Sequence, residues 1–134
     1  MNRLQRLSSD FDQSPWLDNL RRSYLTNGGL REFVRRGVRG LTSNPTIFQK
    51  AIQGSAEYDE QFYDLIGRGV AVEDAYWSLV LYDIVGALDV FRPLYDASSG
   101  TDGFVSVEVD PLLAHDAVRT LEAGRELVSR IDRP

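Results

Sequence analysis

Apolar residues along this chain follow two rhythms in turn: a period of two over short runs, and the three-and-four spacing of a helix over longer ones. A first extended piece, about Ser14 to Asp18, is preceded by polar residues and followed by a helical pattern with Leu20 and Tyr24 one turn apart. Asn27-Gly28-Gly29 ends that helix, and Leu30, Phe33 and Val34 predict a further turn closed by Gly37. A second extended piece, Val38 to Ser43, runs into Asn44-Pro45. That pair predicts a helix start, because Asn caps well and Pro at the first helical position gives up an amide that has no intrahelical partner. Ile47, Phe48, Ala51 and Ile52 then keep helical spacing to Gly54, and Tyr58, Phe62, Leu65 and Ile66 repeat it up to Gly67.

The longest amphipathic stretch carries Val72, Tyr76, Leu79, Val80, Ile84, Ala87, Leu88 and Phe91 as one stripe, expected to stop at Pro93. A turn-rich passage leads into the cleanest strand, Phe104 to Val109, and Asp110-Pro111 opens the last predicted helix. Strands alternating with helices in this order belong to the α/β class, with βαβ units on a parallel sheet. An open doubly wound sheet and a (β/α)8 barrel both begin this way. A complete barrel takes about 250 residues. The 134 residues, with three strands, therefore predict a single partial domain over 1–134: about three βα units, with extra helices between the second and third strands.

Composition narrows the partners. The chain is 43% hydrophobic and carries a net charge of −5 dispersed among its arginines, with no basic stripe, so nucleic acid is not expected. Zero cysteines exclude disulfides and thiolate metal sites. No apolar run is long enough for a membrane span, and Met1 to Ser14 lacks the apolar stretch of a signal peptide, so a cytoplasmic location is expected. Lys50 is the only lysine, so any imine chemistry within this chain would have to use it.

Sorting each strand by face brings out the candidate chemistry. Val105, Val107 and Val109 point one way, suited to packing beneath helices, while Phe104, Ser106 and Glu108 point the other. Thr42 and Asn44 share a face, as do Trp16 and Asp18. Asp18, Asn44 and Glu108 each lie at or near the C-terminal end of a strand, where parallel sheets and barrels place their sites. Two carboxylates flanking an amide can divide acid and base roles if their surroundings separate their pKa values. Simpler accounts exist: an Asp after a short strand commonly forms a turn, and Asn44 before Pro45 is accounted for by capping alone. His115 falls early in the last helix, and Lys50 on a solvated side of its own, without the desolvation that imine formation favours. No phosphate loop, dinucleotide fingerprint or metal-ligand spacing is present.

The motifs carry a resemblance. Pro15-Trp16-Leu17-Asp18-Asn19-Leu20 resembles the first-strand motif of transaldolases, and Gly40-Leu41-Thr42-Ser43-Asn44-Pro45-Thr46-Ile47-Phe48 their second-strand signature. Tyr58-Asp59, Tyr95-Asp96 and Asp102-Gly103-Phe104-Val105-Ser106-Val107-Glu108-Val109 follow in the same order. The resemblance implies a (β/α)8 barrel enzyme of the non-oxidative pentose phosphate pathway. Such an enzyme moves a dihydroxyacetone unit from sedoheptulose 7-phosphate to glyceraldehyde 3-phosphate through a lysine imine, with no metal or organic cofactor. It implies Asp18 as the acid–base group, Glu108 as the residue orienting the water of imine formation, Asn44 as a hydrogen-bonding partner of the dihydroxyacetone unit, and Thr42 as a residue lining the site. The Schiff-base lysine would fall just beyond Pro134, so the chain alone is expected to be inactive. A complementary C-terminal barrel portion, or self-association, would then be its partner besides sugar phosphates. The alternative is a catalytically dead partial barrel that acts only as a binding module through its exposed sheet edge.

Overall fold

The structure, a computed structural model, describes all 134 residues. Its centre is a three-stranded parallel sheet in the order β1 (Trp16–Leu17), β2 (Gly40–Leu41) and β3 (Phe104–Val105). Trp16 pairs with Gly40 and Gly40 with Phe104, while Leu17, Leu41 and Val105 form the next row. Seven helices surround it: α1 (Arg3–Phe11), α2 (Arg22–Thr26), α3 (Gly29–Arg35), α4 (Pro45–Gln53), α5 (Asp59–Gly67), α6 (Val72–Ala97) and α7 (Ala117–Ile131).

The two faces of the sheet differ sharply. Leu41 is fully buried in a core with Leu20, Leu30, Phe48, Val80, Ile84 and Phe91, and Leu17 and Val105 pack against the same cluster. On the opposite face, Trp16 and Phe104 are 42% and 41% exposed. Consecutive strand order with helices packed on one face is the winding of a sheet that curls in one direction. A doubly wound sheet reverses direction and covers both faces.

The strands are shorter than the sequence predicts. Ladder bonds run from Arg39 N to Pro15 O (2.8 Å) up to Ser106 N to Leu41 O (2.9 Å). Beyond that point β2 has turned into the cap of α4, and Pro45 has no amide to offer. Val107 to Val109 thus lie outside the ladder, and Glu108 stands past the strand instead of within it. Three helix boundaries also differ. The polar N-terminus forms α1, started by a capping box in which Asn2 and Gln5 exchange bonds, and those two side chains also donate to the Arg36 and Arg35 carbonyls at the end of α3. α6 runs through Pro93 to Ala97: the carbonyl that loses its partner belongs to exposed Asp89, and Arg92 bonds Asp96 across the break. Asp110-Pro111 starts only a 3-10 turn, and α7 begins afresh under an Asp116 cap.

The stripe along α6 also contains a group the periodicity passes over. Asp83 is 0% exposed. It accepts from Arg22 Nε at 2.9 Å and from the Tyr58 hydroxyl at 2.7 Å, while the Tyr58 oxygen accepts from the Arg22 amide. Burial holds the Asp83 carboxyl above its ordinary 3.8, although Tyr58 and Arg22 oppose the shift; burial, then Asp83, push the Tyr58 phenol upward as well.

Removing one member of such a buried pair strands the other charge, so Asp83→Ala is expected to cost about 3–5 kcal/mol in urea unfolding followed by circular dichroism. Because the folded pKa is raised, the folded state binds the proton more tightly than the unfolded one. The Asp83 contribution to stability therefore falls as pH rises from about 3.8 through its folded value. Asp83→Asn should remove that descending slope from the pH dependence of the unfolding free energy.

Candidate functional site

Three side chains predicted from sequence sit where β1 and β2 end. Asp18 and Thr42 follow the sheet rows by one residue, and Thr42 N bonds Leu17 O at 2.9 Å, which keeps the register beyond the strands proper. The Thr42 hydroxyl donates to Asp18 Oδ1 at 2.6 Å. One carboxylate oxygen is thereby fixed and the other left free on the face shared with Trp16, so the group is oriented as well as charged. Next along β2, buried Ser43 donates to the Ser106 carbonyl at 2.6 Å, which holds the chain after β3 beside β2 where the ladder has ended.

Asn44 begins α4, accepting from the Ile47 amide at 2.9 Å through its side-chain oxygen. Capping occupies that oxygen and leaves the amide nitrogen for another partner. Glu108 is exposed, and no hydrogen bond joins it to Asp18, Thr42 or Asn44. It does line one narrow cleft together with Asn44, Tyr76 and Trp77. Burial, and then the Asp110 carboxylate, raise the Tyr76 hydroxyl above its ordinary range. The structure thus joins Asp18 to Thr42 by a hydrogen bond, and brings Asn44 and Glu108 to one cleft without a bond between them.

Lys50 is exposed on α4 and lines a polar groove with Asn19, Arg21 and Ser23. His115 is exposed just before the α7 cap. Neither is brought to the strand ends. The opposite end of the sheet carries a cluster that sequence reasoning passed over: buried Asp102 accepts from Ser14 Oγ at 2.5 Å and Arg39 Nε at 2.6 Å. Those residues stand just before β3, β1 and β2, so one carboxylate pins all three strand starts. An acidic turn gives no sign of this, since both donors are distant in sequence.

The family model for Transaldolase/Fructose-6-phosphate aldolase matches residues 15–134. The chain belongs to this family. A transaldolase of Parafrankia sp. is 52% identical over 120 residues, covering 89% of this chain and 32% of that protein. The transaldolase of Thermobifida fusca is 49% identical over 132 residues, 98% of this chain and 36% of its own length. The transaldolase of Acidothermus cellulolyticus is 50% identical over 122 residues, 90% and 33% respectively. The chain therefore spans about a third of the length of these curated relatives. No helix is long and apolar enough to cross a membrane.

Asn44 lends itself to a clean separation of roles. Asn44→Asp keeps a capping oxygen and should leave stability nearly unchanged, whereas Asn44→Ala should cost about 1 kcal/mol in thermal or urea unfolding. An equal loss in both variants would mean that the amide nitrogen also holds the fold.

Proposed function

We propose that these residues form part of the active site of a transaldolase, one that carries a dihydroxyacetone unit between sugar phosphates of the non-oxidative pentose phosphate pathway in the cytoplasm. The observation that carries this reading is the Thr42–Asp18 hydrogen bond at the C-terminal end of a one-way-wound parallel sheet, in a chain of this family. The sheet is read as the first three strands of a (β/α)8 barrel, with Trp16, Asp18, Thr42 and Phe104 facing its interior.

In this reading a lysine outside these 134 residues condenses with the ketose carbonyl, losing water to give a protonated imine. Asp18 takes the proton from the hydroxyl on the fourth carbon. The bond between the third and fourth carbons breaks, the aldehyde leaves, and the electron pair passes into the imine as an enamine. An arriving glyceraldehyde 3-phosphate reverses these steps. Thr42 holds the Asp18 carboxylate in the orientation for proton transfer, which modifies its expected role from lining the site to positioning the base. Asn44, with a free amide nitrogen, binds the dihydroxyacetone oxygens, and Glu108 orients the water gained and lost at the imine. In this reading no metal or organic cofactor is called for, and sugar phosphates are the substrates. A complementary barrel portion would cover the open face and the exposed apolar residues of α7, Val118, Leu121 and Val128.

Borohydride trapping with fructose 6-phosphate tests the assignment of the amine. No adduct is expected on this chain, and an adduct on Lys50 would overturn it. In a polypeptide that joins these residues to the lysine-bearing remainder, Asp18→Asn should lower kcat by roughly 10²–10⁴-fold, the usual contribution of a positioned acid–base group. Thr42→Val should also lower kcat with little change in KM, and Thr42→Ser should restore it.

A further inference from the structure

The face of the sheet that bears Asp18 and Thr42 is not polar throughout. One row below them stand Trp16, Gly40 and Phe104 in register. A Cβ built on Gly40 would lie 2.3 Å from Trp16 Cε2, 2.6 Å from Cδ2 and 2.7 Å from Nε1. The indole therefore lies across the middle strand, in the space that any side chain at position 40 would occupy. The φ of Gly40 is not positive, so the backbone makes no demand for glycine here. The demand comes from the ring.

Phe104, at the other end of the row, is held edge-on by Tyr95, with centroids 5.8 Å apart. The interior row under the carboxylate is thus aromatic from β1 to β3, with no polar side chain in it. Barrel interiors are filled by layers to which alternate strands contribute, and this row fits that pattern, with β1 and β3 filling and β2 yielding. Asp18 is two residues on from Trp16, about 7 Å along the strand. The indole thus stands one row below the free oxygen of Asp18 on the same face.

Resting on the transaldolase reading above, we propose that Trp16 is the floor of the sugar pocket, a specificity-determining residue that sets its depth and closes the barrel interior to water, with Gly40 making room for it. The chemistry supplies the reason for such a floor. The enamine left after cleavage must wait for an aldehyde. If water reaches it first, the enamine carbon takes a proton, water adds to the iminium carbon, the carbon–nitrogen bond breaks, and free dihydroxyacetone departs from the regenerated amine. A dry apolar layer beneath the reacting carbons suppresses that loss.

The test measures partition in the polypeptide that carries these residues with the imine-forming lysine, supplied with sedoheptulose 7-phosphate and glyceraldehyde 3-phosphate. Free dihydroxyacetone per transferred three-carbon unit should rise several-fold in Trp16→Val, rise likewise in Gly40→Ala, whose methyl group displaces the ring, and stay near its original value in Trp16→Phe. The Trp16 emission, taken as the difference from Trp16→Phe, should become shielded from iodide when fructose 6-phosphate binds. This second readout decides the matter if the valine or alanine variant fails to fold. Intact transfer with unchanged partition in Trp16→Val, or a Trp16 emission that ignores the sugar, would overturn the floor. Absence of any trapped imine in the unsubstituted protein would instead overturn the transferase reading, and the floor with it.

Discussion

The architecture depends on one carboxylate that has no access to water. Asp83 sits in the middle of the longest helix, in the crossover that leads to β3, and its partner Arg22 stands just after β1. Joining them ties the helix that follows β1 to the crossover that leads to β3. The Arg22 guanidinium is further enclosed by the rings of Tyr58 and Tyr82, 4.3 and 4.6 Å from its carbon, and by the Glu57 and Leu79 carbonyls. Desolvating two charges offsets much of their attraction, so such a pair adds less net stability than its geometry suggests. Its effect is on alternatives: any packing that slides α6 along α2 leaves an unpaired ion in the core. The apolar stripe alone would tolerate such a slide.

How far the sequence revealed this depended on the range of the interaction. Asn44-Pro45 announces its helix because a cap acts within one turn, and the alternation around Leu41 and Val105 announces strands because burial on one face imposes it. The order of elements, and hence the parallel sheet, followed from those local signals. Asp83, Arg22 and Tyr58 were not legible, since a carboxylate inside Leu79-Val80-Leu81-Tyr82-Asp83-Ile84 carries no mark of a partner 61 positions away. The strand ends were overextended for a related reason. Val107 and Val109 have β propensity, but a ladder needs a neighbour, and β2 has already turned away.

The candidate site shows the same division. That Asp18 and Thr42 share a face follows from strand period and register, and the structure adds the 2.6 Å hydrogen bond that turns proximity into orientation. That Asn44 and Glu108 line one cleft follows less directly, because neither sits in regular strand. Their placement comes from Ser43, which reaches across to the Ser106 carbonyl and carries the pairing one step past the ladder. A serine standing between two candidate residues thus aligns the segments that bear them.

At the far end of the sheet, Asp102 gathers Ser14 and Arg39 beneath the three strands. This knot is separated from the polar mouth by the whole length of the strands, so the two ends answer to different demands. Tightening or loosening the knot shifts how firmly the strand bases are registered without touching the groups above. The connecting loops at the rim are then free to vary in length and chemistry over evolutionary time, because the alignment of the frame they rise from is secured below.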